Sequence, residues 1–157
     1  GLAPATEGAC AMDLTAAIGE SLADMKTLQA GGTQGSAFMY GSAFSRGLRA
    51  RTPAGLTVYV SGTAAIDADG ITQHVGDIPR QIEATISHAR AVLANMDCRD
   101  EDVVQSIIYC KTPEVEKVFR DRCADLSWPK IVTICDICRH DLLFEVEVAA
   151  CPDAGSL

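Results

Sequence analysis

The last apolar stretch of the chain constrains the fold more than any other segment. Residues 144–150 read FEVEVAA, so Phe144, Val146 and Val148 alternate with Glu145 and Glu147. Successive side chains of a β-strand point to opposite faces, and the pattern therefore predicts a strand with one apolar and one acidic face. Such a strand needs a second layer over its apolar face and leaves its acidic face uncovered.

Two segments have the spacing of the helices that would form this layer. The first runs from about Asp77 to Asn95, with Asp77 placed as a cap before Pro79, and the second begins at Thr112 with Pro113 at its first position. The first helix carries one apolar stripe, which consists of Ile78, Ile82, Ile86, Ala89, Leu93 and Met96. The second helix is predicted over the segment TPEVEKVFRDRCADL.

With the FEVEVAA strand included, five segments have the composition of strands. They cover residues 36–50, 55–67, 102–111, about 131–138 and about 142–151, with a turn at Asp69-Gly70 after the second of them. The order strand, strand, helix, strand, helix, strand, strand predicts an α+β fold, a mixed β-sheet with two long helices packed on one face. The uncovered face predicts contact with a partner subunit.

The length of 157 residues suits one domain with a single core. Residues 1–36 are interpreted as an N-terminal extension, with a short amphipathic helix (Leu14, Ile18, Leu22, Met25) and the Gly-rich linker AGGTQGS. Residues 37–157 are interpreted as the main domain.

Composition argues against several classes of partner. Thirteen basic and 21 acidic residues give a formal charge of −8, the opposite of the balance that binds nucleic acid. No apolar run approaches the roughly 20 residues of a membrane span. The seven cysteines are odd in number and scattered, and no signal sequence precedes them, which favours reduced thiols in a cytoplasmic protein.

Four segments occur in the order found in the Rid superfamily, also called the YjgF or L-PSP family. They are FSRGLRA, VYVSGTAAID, the long stretch from Gln81 to Asp121, and FEVEVAA, and the similarity covers roughly residues 38–151. The resemblance implies a chorismate-mutase-like (YjgF/L-PSP-like) fold and a homotrimer whose sheets line a central barrel with three clefts between subunits. It implies no metal and no organic cofactor.

Typical Rid members are imine deaminases that hold the substrate carboxylate with an arginine in a PAR[ST] stretch. Here Pro129 and Lys130 are followed by Ile131, which stands where that arginine would be. An isoleucine cannot form the bidentate ion pair that an arginine makes with a carboxylate. The chain therefore departs from the pattern of an ordinary 2-imino acid deaminase.

A narrower resemblance connects the chain to the C-terminal catalytic domain of the chorismatases, which hydrolyse chorismate to pyruvate and a second product. It rests on SGTAAID, on CRHDLLFEVE, and on a TxHxGDxxxQ pattern formed by Thr72, His74, Gly76, Asp77 and Gln81. The resemblance implies that Glu145 is the acid that protonates the substrate. It also implies that Cys138, seven residues earlier, is a pocket residue.

These patterns define the candidate site. Glu145 and Cys138 are the catalytic candidates, and a partly buried cleft would raise the pKa of the acid. The substrate-binding candidates are Arg139, Ser61, Gly62, His74, Tyr109 and Lys111.

Other histidines and cysteines are assigned no chemistry. His88 and His140 are expected at the surface. Cys135 and Cys138 form a CxxC motif, but on a predicted strand the offset of three places them on opposite faces, which argues against a metal site there.

The sequence thus predicts a Rid-superfamily enzyme acting on a small anionic metabolite in an inter-subunit cleft. The leading hypothesis is chorismatase-like hydrolysis of chorismate or a related enol-pyruvyl compound. Two alternatives stay open: a divergent 2-imino or enamino acid deaminase that lacks the usual arginine, and a non-catalytic metabolite-binding trimer.

Overall fold

A computed structural model describes residues 25–152 of the chain. Its strands are β1 (Lys26–Leu28), β2 (Gly47–Thr52), β3 (Gly55–Ala64), β4 (Val103–Cys110), β5 (Lys130–Ile134) and β6 (Phe144–Ala150). Its α-helices are α1 (Ile78–Asn95) and α2 (Pro113–Arg122), and short 3₁₀ helices occur at Ala37–Tyr40 and Asp100–Asp102. The helix caps are as predicted, because the Asp77 carboxylate accepts a hydrogen bond from the Arg80 amide and the Thr112 hydroxyl accepts one from the Val115 amide.

The six strands form one sheet in the order β1-β2-β3-β6-β4-β5. Strands β4 and β5 are parallel and the other neighbours are antiparallel, so the sheet is mixed. The predicted α+β class is confirmed. Strand β6 lies between β3 and β4, which places the alternating FEVEVAA segment at the centre of the sheet.

Helix α1 packs on β3 and β6 and covers one face of the sheet. Phe144 and Val146 are fully buried on this face, together with Ile82, Ile86 and Leu93 from the predicted stripe of α1. Glu145 and Glu147 lie on the opposite face, as the alternation predicts. The amphipathic patterns therefore placed both the core and the acidic face correctly.

Two of the predicted strands are shorter than expected. The segment predicted as a strand from residue 36 begins with the 3₁₀ helix Ala37–Tyr40, which ends at Gly41 in the left-handed conformation with φ of 85°. Strand β5 ends at Ile134 because the Cys135 amide bonds to the carbonyl of Cys110, the last residue of β4. Beyond this point β5 has no neighbour to pair with, and residues 135–143 form a loop.

The described part of the predicted N-terminal extension belongs to the sheet. Strand β1 pairs with β2, and the buried Gln34 donates hydrogen bonds to the carbonyl oxygens of Ala64 and Ile66. Gly31 lies so close to α1 that a Cβ there would be 3.0 Å from Val92 Cγ2. The described segment before residue 36 thus packs against α1 and the sheet. The predicted N-terminal helix lies outside the described residues, apart from Met25.

Among residues 25–152, no helix combines the length and apolar character that crossing a bilayer requires.

Candidate active site at the centre of the sheet

Glu145 lies at the centre of the site because its strand is central. It pairs with Ala64 of β3 on one side and with Tyr109 of β4 on the other. The register of β3 against β6 shifts between Val60 and Thr63, which is a β-bulge at Ser61 and Gly62. The predicted backbone bend at these two residues is therefore present beside the acid.

Gly62 supplies the space that the Glu145 carboxylate occupies. A Cβ at position 62 would lie 2.4 Å from Glu145 Oε1, far inside van der Waals contact. The Ser61 hydroxyl donates a hydrogen bond of 2.7 Å to the Ser45 carbonyl oxygen. The contribution of the Ser61-Gly62 pair in this structure is thus the bulge and the room it makes.

The surroundings of Glu145 favour its protonated form. Burial raises the pKa of the Glu145 carboxyl group above its ordinary value, and the Glu147 carboxylate raises it further. No hydrogen bond from residues 25–152 is among the influences that lower the pKa of this carboxyl group. A raised pKa favours the protonated carboxyl group that a general acid requires.

Two adjoining clefts meet at the glutamates. We call the first the arginine cleft, which is lined by Tyr40, Arg46, Gly62, Arg139, Glu145 and neighbouring residues. We call the second the thiol cleft, which is lined by Tyr109, Cys135, Cys138, Glu145 and Glu147 with Asp136 and Ile137. Cys138, Glu145 and Glu147 border both clefts. The two catalytic candidates therefore lie in one continuous depression.

Cys135 and Cys138 border the same cleft, which corrects the expectation that they point to opposite faces. The reason is that Cys138 lies in the loop after β5, where strand alternation does not apply. Burial and the Glu145 charge raise the pKa of the Cys138 thiol, so it is protonated and a poor nucleophile at neutral pH. Within residues 25–152, no three His, Cys, Asp or Glu side chains are grouped as a metal site.

Tyr109, one of the predicted substrate-binding residues, lines the thiol cleft. It lies beside Glu145 on the neighbouring strand. Burial raises the pKa of its hydroxyl strongly, and the charges of Glu147 and Glu145 add to this effect. The Tyr109 hydroxyl is therefore neutral and able to donate a hydrogen bond at neutral pH.

Arg139 lines the arginine cleft, as expected of a substrate-binding residue. Its Nη1 donates a hydrogen bond of 2.5 Å to the Gly70 carbonyl oxygen, and its guanidinium carbon lies 5.7 Å from the centre of the Tyr40 ring. Within residues 25–152 it has no carboxylate at ion-pair distance. Its charge is therefore available to a ligand on the open side of the cleft.

The sequence analysis missed Arg46, a second arginine in this cleft. Arg46 is only 1% exposed, and its guanidinium donates to the Gly35 carbonyl oxygen at 3.1 Å and to the Tyr40 hydroxyl at 2.5 Å. Its guanidinium carbon lies 5.2 Å from the centre of the Phe44 ring. In the sequence, Arg46 follows the aromatic residues Tyr40 and Phe44 and comes directly before β2. This position does not by itself distinguish a buried arginine from an exposed one.

Lys111 and His74 do not line either cleft. The Lys111 ammonium donates to the carbonyl oxygens of Arg139 and His140 at 3.0 and 3.1 Å and pairs with Asp136. These contacts hold the loop that carries Cys138. His74 is exposed, with a positive φ of 52°, and its carbonyl oxygen accepts from the Gln81 amide at 3.4 Å.

The TxHxGDxxxQ residues position the same loop from the other side. The Gln81 side chain donates to the Asp141 carbonyl oxygen at 2.8 Å and accepts from the Leu143 amide at 2.8 Å. The Thr72 hydroxyl donates to the Asp141 carboxylate at 3.0 Å. In this structure the motif therefore fixes the segment that leads into β6.

His88 is buried, contrary to the expectation that it lies at the surface. Its Nδ1 lies 3.3 Å from the Thr33 hydroxyl, because the segment after β1 covers this side of α1. Burial lowers the pKa of His88, and the positive charge of Arg46 lowers it further. His140 is exposed, as expected.

Ile131 lies on the face of the sheet that carries Glu145 and Glu147, which no described helix covers, and is 64% exposed. It pairs with Ile107, which in turn pairs with Glu147. Ile131 contributes to neither cleft.

Comparison with solved structures supports the fold. A chorismatase crystal structure superposes with a TM-score of 0.68 at 23% identity, over 80% of this chain and 43% of that one. Yeast Mmf1 gives a TM-score of 0.63 at 16% identity, over 80% of this chain and 97% of that one. Rv2704 of Mycobacterium tuberculosis, a member of the YjgF/YER057c/UK114 family, gives a TM-score of 0.58 at 21% identity, over 80% of this chain and 98% of that one.

The chain spans less than half the length of the chorismatase that it resembles. No protein of curated function matches it. The family model described as Endoribonuclease L-PSP matches residues 37–151, which is most of the chain. This match establishes that the chain belongs to the L-PSP (YjgF) family, and the mixed sheet with two helices agrees with it.

Proposed function

We propose that this protein hydrolyses an enol-pyruvyl ether of a small carboxylate metabolite, with chorismate as the leading candidate and Glu145 as the general acid. The observation that carries the proposal is a carboxyl group with a raised pKa and no described hydrogen-bond donor, placed beside a cleft with two arginines. The fold-level likeness to a chorismatase supports the same reaction class.

The arginine cleft suits an anionic ligand. Arg46 is almost fully buried, and the groups that accept its hydrogen bonds, Gly35 and Tyr40, are neutral. Burying a cation without a counter-charge is unfavourable, and an incoming carboxylate relieves that penalty. Arg46 and Arg139 can therefore do for this chain what the family's arginine does, from another part of the fold.

Glu145 then supplies the proton. In the proposed reaction its carboxyl group protonates the methylene carbon of the enol ether, which leaves a cation at the neighbouring ether carbon. Water adds to that carbon and returns a proton to Glu145, and the resulting hemiketal breaks its carbon–oxygen bond to release pyruvate and an alcohol. Atoms balance with one water consumed and the acid regenerated.

Cys138 and Tyr109 are proposed to shape the pocket around this acid. Both carry groups that are protonated at neutral pH, since the pKa values of the thiol and of the phenol are raised. Negative charge beside Glu145 would disfavour an anionic substrate. Neither Cys138 nor Tyr109 adds such charge. Lys111 is proposed to act indirectly, by holding the Cys138 loop.

The test is pyruvate release from chorismate by the purified protein and by two matched variants. Glu145→Gln keeps the shape of the side chain but removes the proton, and we expect a loss of about 10²- to 10⁴-fold in kcat. Glu147→Gln changes a carboxylate on the same face of the sheet, and we expect it to lower kcat by less than about tenfold. No pyruvate from a folded wild-type protein would exclude the chorismatase reaction.

A divergent imine deaminase is the second candidate. The observation in its favour is that Arg46 and Arg139 offer a carboxylate anchor that Ile131 cannot. Ammonia release from a freshly generated 2-imino acid, in the absence of pyruvate release from chorismate, would select this activity. Ligand binding that is unchanged in Glu145→Gln, with no turnover by wild type, would select a non-catalytic binding protein.

We also propose that the protein assembles as a homotrimer through the uncovered face of the sheet. Tyr59 is 41% exposed and Ile131 is 64% exposed on this face, which no described helix covers. Exposed apolar side chains on a sheet face are typical of subunit interfaces. Such an assembly would enclose the clefts at Glu145 between subunits.

A further inference from the structure

We propose that Tyr40 is a positioning residue that holds Arg46 and Arg139 at a set separation, so that the arginine cleft discriminates ligands with two carboxylates from ligands with one. The inference rests on the proposed anion-binding role of this cleft. It does not require that Glu145 catalyse a reaction.

Tyr40 contacts both arginines. Its hydroxyl accepts a hydrogen bond of 2.5 Å from Arg46 Nη2, and the guanidinium carbon of Arg46 lies 5.6 Å from the centre of its ring. The guanidinium carbon of Arg139 lies 5.7 Å from the same ring centre. Since both distances share one endpoint, the two guanidinium carbons are within about 11 Å of each other, with both cations in cation–π range of the ring.

Gly70 fixes the ring against Arg139. A Cβ at position 70 would lie 2.3 Å from Tyr40 Cγ, so the ring packs directly on the Gly70 backbone. The Gly70 carbonyl oxygen also accepts the hydrogen bond from Arg139. The turn is held by the Asp67 carboxylate, which accepts from the amides of Asp69 and Ile71 at 3.0 and 2.8 Å. Tyr40 and Arg139 therefore share one rigid support.

The charges around the cleft define the ligand that fits. Two like charges at this distance repel each other, and within residues 25–152 neither has a carboxylate at ion-pair distance. A ligand with two carboxylates neutralises both, whereas a ligand with one leaves a guanidinium unpaired. Glu147 also lines the cleft and repels anions from its own side, which directs both carboxylates of the ligand toward the arginines.

The experiment measures binding by calorimetry with two probes, isophthalate with two carboxylates and benzoate with one. We expect wild type to bind isophthalate at least about tenfold more tightly than benzoate. Tyr40→Leu removes the ring contact and the hydroxyl, and we expect its preference to fall below about threefold while benzoate affinity stays within about threefold of wild type. Tyr40→Phe keeps the ring and removes only the hydroxyl, and we expect an intermediate preference.

Tyr59→Phe is the matched control for Tyr40→Phe. It removes the same hydroxyl group from a tyrosine that lies on the sheet face outside the arginine cleft. We expect its preference to equal that of wild type. Three results would each overturn the inference: equal binding or no binding of the two probes by wild type, an undiminished preference in Tyr40→Leu, or an equal loss of both probes in that variant. If Tyr40→Leu does not fold, as judged by circular dichroism, Tyr40→Phe decides, and an unchanged preference in it overturns the inference.

The outcome is separable from that of the proposed reaction. A Tyr40-dependent preference in a protein that releases no pyruvate would sustain the positioning role and exclude the chorismatase reaction. Pyruvate release with no preference between the probes would support the chorismatase reaction and exclude the positioning role of Tyr40.

Discussion

At the scale of single residues, Glu145 and Glu147 show how one alternating pattern produces two different carboxylates. They lie on the same face of β6, yet Glu145 lies against the bulge at Gly62 and beside Tyr109, whereas Glu147 pairs with Ile107. The pKa of Glu145 is raised by burial and by its neighbour. This difference in surroundings, and not the residue type, makes Glu145 the candidate acid.

The raised pKa of Glu145 predicts a specific dependence of stability on pH. Because the pKa is higher in the folded than in the unfolded protein, ionisation of Glu145 destabilises the fold as pH rises above about 4.5, its unfolded value. Glu145→Gln should therefore have a higher Tm than wild type at pH 7, and the gap should close toward pH 4. Thermal unfolding of both proteins across this range tests the prediction, which a lower Tm of the variant at pH 7 would contradict.

His88 predicts the opposite behaviour on the acid side. Its pKa is lowered by burial, by Arg46 and by His74, so the unfolded chain takes up a proton that the folded protein resists. Stability should therefore be lost as pH falls from about 6.5 through the lower folded pKa. We expect the drop in Tm between pH 7 and pH 5.5 to be smaller in His88→Gln than in wild type, and an equal drop would refute the role of His88.

At the scale of elements, the loop of residues 135–143 depends on its neighbours for its conformation. Lys111 holds it from β4 through two carbonyl oxygens, and Gln81 holds it from α1 through Asp141 and Leu143. The sequence predicts strands at both ends of this segment, joined by a short turn. The structure has a loop there instead, because β4 ends at Cys110 and does not extend far enough to pair with it. Its anchors are polar side chains from distant positions.

Lys111→Met tests this anchoring. The variant loses two hydrogen bonds and an ion pair while keeping an unbranched side chain, and we expect a loss of about 1 to 2 kcal/mol in the free energy of unfolding. We also expect a fall of roughly fivefold or more in affinity for isophthalate, because Arg139 lies in the loop. The control is Lys117→Met, since among the described residues Lys117 makes an exposed ion pair with Asp121 and no other polar contact. Equal effects of the two substitutions on affinity would show that Lys111 does not position the loop.

At the scale of the whole molecule, helices cover one face of the sheet, and no helix among residues 25–152 covers the other. The bare face combines Tyr59, Ile107 and Ile131 with the two glutamates. Burying its apolar side chains would favour association at about 25 cal/mol for each Å² removed from water. The proposed trimer follows from this face.

Ile131→Asp tests the interface. A carboxylate at a contact between subunits would be desolvated without a partner, so we expect the proposed trimer to dissociate toward monomers in this variant at micromolar concentration. Ile134→Asp is the control, because Ile134 lies on the same strand but three residues on, facing the helix side. Sedimentation velocity gives the assembly state, and a trimer retained by Ile131→Asp would argue against this face.

The sequence by itself determined the elements and the faces they present. The period of two in FEVEVAA, the apolar stripe of α1 and the caps at Asp77 and Thr112 involve residues within a few positions of one another, so local geometry is enough to interpret them. Ordered segments across the chain also indicated the family. The prediction of an acidic face at Glu145 depended on nothing else.

Only the tertiary structure decided what surrounds that acid. Arg139 reaches the carbonyl of Gly70, 69 residues away in the chain, and His88 is buried by a segment 55 residues before it. Arg46 belongs to the cleft because the chain after β1 folds over it and because Tyr40 and Phe44 lie against its guanidinium. Such contacts depend on how distant segments pack, and no local pattern of residues records them.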